Sequence, residues 1–436
     1  MDILESGGPK IGPVPTRCKP RCGGWTPGCV FSLHLQSQSN MQRYRTAVFF
    51  GGPSPEHEVS VITGLQAVHA LQEKGLEVLA VYVSKGGRWF IGDGLYQVSA
   101  FKDLAAVERG AREVALAPGP GRSLRLVPLE QPFLGRNEAV LVETVLLAFH
   151  GGSGENGSVQ GLCESLGVPY TGSGVMASAV GMDKVRAKIL ARQAGVPVVE
   201  WVELTEKGWG GAEEACMDRV ESELGYPAIV KPVHLGSSIG IARVANRKAL
   251  EDAIEEAFRY DASVMVERCV SNLREVNASV LGTADDSRVS VLEEPVSGDG
   301  TLSFEDKYMR GGSSKGAAGM ASLDRRIPAP IPEEMAEGIR QLARTVFAAL
   351  DGCGVARIDF LVDNASGEVF FNEINTIPGS LSFYLWEPAG LSFPELVLEL
   401  IRLAEYRFEE RVRRVRTFES NLLSARASGG LKGKLK

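Results

Sequence analysis

Apolar and polar positions along the chain switch repeatedly between a strand-like and a helix-like period. Arg45 to Phe50 reads as a short strand that ends at Gly51-Gly52. A helix is expected from about Val61, with Ser60 as N-cap, Ile62, Leu65, Val68 and Leu71 on one stripe, and Gly75 closing it. Leu76 to Val83 then reads as a buried strand. Strand, glycine turn, helix, strand is a doubly wound opening, in which ligands collect at the carboxyl ends of strands. Leu141 to Phe149 repeats the move, an apolar strand running into His150-Gly151-Gly152. A second unit begins near Met182, with a helix through Ala194 stopped by Gly195 and a strand from Ala228 to Val233. A third runs from about Glu267 and holds two antiparallel strands, a glycine-rich stretch (311–319), a helix from Pro332 to Leu350 and a terminal hairpin. No internal repeat is visible. The pattern predicts an α/β protein, mixed α+β in its C-terminal part, with segments 41–172, 173–266 and 267–416 flanked by a disordered extension (1–40) and a flexible tail (417–436).

Length and composition agree with several soluble domains. The 436 residues exceed one ordinary core. A 44% hydrophobic and 23% charged composition excludes a fibrous or disordered chain. The net charge of −7, with no large basic block, argues against nucleic-acid binding. The longest apolar run is interrupted by Glu143 and is too short to span a membrane. Seven scattered cysteines do not form a disulfide framework, so a reducing, cytoplasmic setting is expected. Cys18, Cys22 and Cys29 lack a fourth ligand for zinc. Cys163, Cys216, Cys269 and Cys353 read as small hydrophobes. Met41 precedes the first convincing strand and is a candidate start of the functional protein.

Three constellations carry chemistry. In GVARIDFLVD, a turn at 364–367 and EVFFNEIN, period two puts Arg357 and Asp359 on one face and Glu373 and Asn375 on another. Pairing across the turn brings Glu373 opposite Asp359 to within about one residue. Two carboxylates and an amide oxygen suit Mg²⁺, with Arg357 meeting developing negative charge; a solvated Arg–Asp pair is the structural alternative. In AIVKPVHLGSSIGIARV, a strand delivers Lys231 to a loop in which Gly236 and Gly240 bracket Ser237 and Ser238, a phosphate cradle or else a plain glycine hairpin. In GGPSPEHEVS, Glu56 follows two glycines and can hold a cationic amine or simply cap a helix. With only five histidines and no HExxH, His57 and His150 fit orienting or structural roles.

Taken in order, GGPSPEHEVS, LAFHGGSGENGSVQG, PYTGSG, MDKVRAK, VKPVHLGSSIG, DKY, ARIDF and NEINTIPG resemble the D-alanine–D-alanine ligases of the ATP-grasp superfamily. The likeness spans about residues 45 to 405. It implies a three-domain ATP-grasp fold in which ATP phosphorylates one D-alanine and the amine of a second attacks the acyl phosphate. It further implies that Glu56 binds the first substrate's ammonium and that Ser237 and Tyr308 link to it. Lys184, Lys231 and Ser238 would meet ATP phosphates, Lys307 the transferred phosphate, and Glu267 and Glu275 the adenine and ribose. Asp359, Glu373 and Asn375 would hold Mg²⁺ (or Mn²⁺), Arg357 and the Gly379 N–H would stabilise the oxyanion, and His150 would lie near the first substrate. A homodimer is also implied. An acyl phosphate hydrolyses if water enters, so a mobile cover is expected, and 310–319, rich in Gly and Ser, is the candidate. The chain departs from the pattern at SLSFYLWEP, where Tyr384 stands near the place of a serine that handles the second substrate and Ser380 and Ser382 are candidate substitutes. The alternative is therefore a ligase with D-lactate, D-serine or another second substrate. A non-catalytic ATP-binding regulator is disfavoured by the intact carboxylates and lysines.

Overall fold

The computed structural model describes residues 42–130, 138–296, 325–415 and 417. The expectations for the extension (1–40), for Lys307, Tyr308 and the cover at 310–319, and for the tail beyond Thr417 lie outside the described residues. The first strand, β1 (Arg43–Gly51), is buried from Thr46 onward, because both its faces are covered. It lies between β2 (Val78–Val83) and β6 (Val140–Leu147), parallel to both. Three more strands, β3 (Trp89–Ile91), β4 (Arg112–Pro118) and β5 (Leu124–Pro128), run antiparallel and close the sheet on itself in the order β1 to β6. The parallel centre is the doubly wound opening read from the sequence. The short meander that closes it carries too little period to be read there.

The helix after β1 is His57–Glu73, four residues longer at its start than the sequence reading, with Glu56 at the N-cap. Ser60 is therefore not the cap. Its hydroxyl accepts from Gly51 N (2.7 Å) and donates to Ala148 O (2.8 Å), tying the ends of β1 and β6 together inside the core. Gly64 of this helix faces β1 so closely that a Cβ would lie 2.4 Å from Phe50 Cβ. Gly64→Ala should destabilise the protein by about 1–3 kcal/mol, read as a lower denaturant midpoint, through overpacking. The helix expected from near Met182 through Ala194 is Lys184–Gln193; a separate helix, Val175–Met182, precedes it, and Asp183 between them caps the second, its carboxylate accepting from Arg186 N (2.9 Å).

Two antiparallel sheets follow. Strands β7 (Trp201–Thr205), β8 (Ala228–Pro232), β9 (Ala242–Val244) and β10 (Ser263–Arg268) pair in the order β7-β10-β8-β9. Glu267 thus sits on the second strand of this sheet. Strands β11 (Leu273–Thr283), β12 (Ser287–Pro295), β13 (Arg325–Arg326), β14 (Cys353–Asp363) and β15 (Val369–Asn375) form the other, ordered β13-β12-β11-β14-β15. The helix Glu333–Ala349 covers one face of it. The hairpin is not the last element: the 20-residue helix Phe393–Val412 returns to pack on β6, β14 and the His57–Glu73 helix. A reciprocal Ser392–Glu395 capping box starts it. Cys163 and Cys353 are buried as expected, whereas Cys216 and Cys269 are only half-buried.

Candidate active site

The β14–β15 hairpin places its polar groups as period two requires. Arg357 pairs with Asn375 and Asp359 with Glu373, and a bulge follows Asp359. Arg357 donates from Nε and a terminal nitrogen to the two Asp359 oxygens, both at 2.7 Å. Burial works against the guanidinium charge, but the doubly bonded Asp359 carboxylate outweighs it, and the pKa is raised well above its ordinary value. Asn375 Nδ2 lies 3.4 Å from Asp359 Oδ2. On the facing side, Lys184 Nζ is 3.4 Å from Glu373 and donates to Leu235 O.

Lys231 points from β8 into the same space. It pairs with Glu267 and donates to Asn372 Oδ1 at 3.1 Å. The other Glu267 oxygen meets Lys188 at 3.2 Å, and Lys188 also donates to Phe371 O at 3.2 Å. Burial opposes the Glu267 charge, yet the two lysines prevail and hold its pKa below the usual carboxylate range. Its carboxylate is committed to them. Lys188 was missed in the sequence, although four residues from Lys184 is one helical turn on the same face.

The loop after β8 carries Ser237 and Ser238 at positive φ (54° and 59°), a strained conformation for residues with side chains. That turn lets Ser237 donate to Glu56, the link anticipated between them. Gly151 is required beside it, because a Cβ there would lie 2.7 Å from a Glu56 oxygen. His150 is buried, 2.8 Å from Thr63 Oγ1, which also accepts from Ser380 N at 3.0 Å. Burial depresses the His150 pKa to about 4, so the ring is neutral. His57 bonds Gly52 O and Tyr82 within the core, a structural role.

A second carboxylate escaped sequence reading. Glu155 accepts from Gly151 N (2.9 Å) and Ile377 N (3.3 Å), and burial, then the nearby Glu56 charge, raise its pKa to about 7. Between about pH 4.5 and 7 an unfolded chain releases this proton while the folded one keeps it. The stabilisation is therefore complete below pH 4.5 and is lost as pH rises through about 7. Glu155→Gln cannot ionise, so its melting temperature relative to wild type should be more favourable at pH 8 than at pH 4.5. A difference that stays constant with pH would refute this assignment.

These groups line two adjoining cavities. The larger, about 520 Å³, lies between the two antiparallel sheets and includes Lys184, Lys231, Ser238, Glu267 and Glu275 on its walls. That volume falls within the range of small-molecule sites. The smaller holds Glu56, His150, Ser237, Arg357 and Gly379 and shares Asp359 and Glu373 with the first. Asn375 lines it as well. Ser380 and Ser382 are buried and are not among the described residues on either wall. Three consecutive residues, Ser380 to Ser382, hold φ of 51°, which turns their side chains into the protein. Tyr384 is also buried, with its hydroxyl on Glu293 Oε1 at 3.3 Å.

Among the described residues no group of three or more His, Cys, Asp and Glu side chains is poised to hold a metal. Asp359, Glu373 and Asn375 nonetheless fit Mg²⁺: hard oxygen donors, few in number, at the junction where a nucleotide's phosphates would complete the shell. No helix among the described residues is long and apolar enough to cross a membrane.

A cavity gripped between two antiparallel sheets, with lysines on one wall and paired carboxylates on the other, defines an ATP-grasp protein. Residues 45–173 match the family described as D-ala D-ala ligase N-terminus, and residues 190–402 the D-ala D-ala ligase C-terminus. D-alanine–D-alanine ligases of Bacillus cytotoxicus and Geobacillus kaustophilus are 38% and 36% identical over 375 and 379 residues, covering 85% and 86% of this chain and 98% of each relative. The crystal structure of VanG D-Ala:D-Ser ligase from Enterococcus faecalis superposes with a TM-score of 0.67 at 29% identity, covering 84% of this chain and 99% of its own. The D-alanine–D-alanine ligase structure from Coxiella burnetii gives 0.70 at 28%, covering 88% and 99%. The chain belongs to the D-alanine–D-alanine ligase family.

Proposed function

We propose that this protein is an ATP-dependent ligase that joins two D-alanines into D-alanyl-D-alanine for peptidoglycan precursor synthesis. The observation that carries the reading is the adjoining pair of cavities sharing Asp359 and Glu373. A carboxylate substrate in the smaller one lies beside the phosphate end of a nucleotide in the larger. Glu56, fixed by Ser237, holds the first D-alanine's ammonium. An oxygen of that D-alanine's carboxylate bonds to the γ-phosphorus of ATP as the β–γ bridge breaks, giving D-alanyl phosphate and ADP. Lys184 and Lys231 neutralise phosphate charge in place, which is most of what phosphoryl transfer requires. Mg²⁺, when bound by Asp359, Glu373 and Asn375, supplies further charge neutralisation on the phosphates. The second amine then attacks the carbonyl carbon, Arg357 and the Gly379 N–H meet the oxyanion, and phosphate leaves as the amine sheds a proton. Neutral His150, pinned by Thr63, orients the first substrate's surroundings without adding charge.

Free cysteines among the described residues suit the cytoplasm, where D-alanine and ATP are at hand, and a homodimer is the proposed assembly. Light scattering of the purified protein tests the assembly. Phosphate release from ATP should depend on D-alanine and on Mg²⁺; release that is indifferent to D-alanine would refute the assignment.

A further inference from the structure

One wall of the smaller cavity takes no part in holding the first substrate or the phosphates. Beyond Arg357 it is built from Asn277, Glu293 and Arg325, backed by Tyr384. All four are buried or nearly so; the Arg325 and Glu293 side chains are 8% and 2% exposed. Arg325 donates to Glu293 Oε2 at 2.8 Å, and its guanidinium stacks 4.0 Å above the Tyr384 ring. The other Glu293 oxygen accepts from Asn277 Nδ2 (3.0 Å) and from the Tyr384 hydroxyl (3.3 Å). The guanidinium is thus fixed at one edge by a carboxylate and on one face by an aromatic ring, at the wall of the cavity.

A buried ion pair of this kind contributes little net stability compared with apolar packing. Its position matters more. An amino-acid acceptor attacks with a neutral amine and keeps a carboxylate charge throughout, which a partly closed cavity must match. Arg357 spends two N–H groups on Asp359, and Lys184 is held by Glu373 and Leu235 O. A guanidinium offers five N–H donors in a fork suited to a carboxylate.

We propose that Arg325 binds the carboxylate of the second substrate, with Glu293 and Tyr384 as positioning residues. This rests on the ligase reading and names the group that selects an acceptor bearing an α-carboxylate. The hydroxyl of Tyr384 then serves Glu293 rather than the acceptor.

The test uses two nucleophiles on the same acyl phosphate. D-alanine as acceptor gives the dipeptide, while hydroxylamine, which has no carboxylate, gives D-alanine hydroxamate with the same loss of phosphate. In Arg325→Met the D-alanine concentration that half-saturates dipeptide synthesis should rise about 10²-fold, the scale expected for removing one partner of a buried charge pair. Hydroxamate formation should stay within about twofold. Arg325→Lys, which keeps the charge but loses the fork, should fall between. Tyr384→Leu should shift the same acceptor dependence in the same direction, by less. An unchanged acceptor dependence in Arg325→Met, or equal losses in both reactions, would overturn the assignment. A wild-type protein that makes neither product from D-alanine would overturn the ligase reading itself, and the assignment with it.

Discussion

Arg357→Met is expected to lower dipeptide turnover by about 10²–10³-fold while leaving ATP affinity within a few-fold, as for removal of a preorganised oxyanion donor. The arginine lines the smaller cavity, two residues from Asp359, which both cavities share, and backbone pairing of β14 with β11 and β15, rather than a loop, holds it. Its two bonds to Asp359 fix the plane of the guanidinium before substrate arrives. The nucleotide cavity is walled mainly by Lys184, Lys231, Glu267 and Glu275, and of the residues named on its wall only Asp359, shared with the smaller cavity, loses bonds in the substitution. Arg357→Lys should recover little, because an ammonium lacks the planar fork that sets the orientation of the donors against Asp359 and the oxyanion. Steady-state turnover beside equilibrium ATP binding checks the split. Near-normal turnover in Arg357→Met would remove this residue from the chemistry.

Glu267→Ala is expected to give the largest loss of stability, about 3–5 kcal/mol, together with weaker ATP binding. Glu267 is the shared anion of Lys188 and Lys231, and both it and Lys188 are essentially unexposed. Removing it strands two ammonium groups in the interior, one of them without access to water. Lys188 further anchors to Phe371 O of β15, so the same group ties the central sheet to the C-terminal one. Adding Lys188→Met to the Glu267→Ala background should regain part of the stability, since it removes one uncompensated charge. Thermal midpoints of the single and double variants measure this. A double variant less stable than Glu267→Ala would contradict the view that uncompensated charge causes the loss.

The hairpin was legible to within about one residue of register, because a strand period of two and a four-residue turn leave little freedom. The bulge after Asp359 is what brings Asp359 opposite Glu373 and Arg357 opposite Asn375. The Glu56–Ser237 contact joins residues 181 positions apart, and no local pattern reaches so far; it was legible through the resemblance to a family. Ser60 misled because a serine before an apolar stripe has the look of a cap, while here its hydroxyl is used in the core. Lys188 reads as a surface lysine in a helix until the tertiary structure brings Glu267 against it. The helix Phe393–Val412, with its Ser392–Glu395 capping box, is an element the sequence reading lacks. The closing strand β3 has three residues, too few for any period to register.

Incubation of the purified protein with ATP, Mg²⁺ and D-alanine alone, with the product identified by mass, tests the central claim most directly. The account predicts D-alanyl-D-alanine formed in step with ADP and phosphate. Hydrolysis of ATP without dipeptide, or a product that forms only when D-lactate or D-serine is supplied, would contradict it.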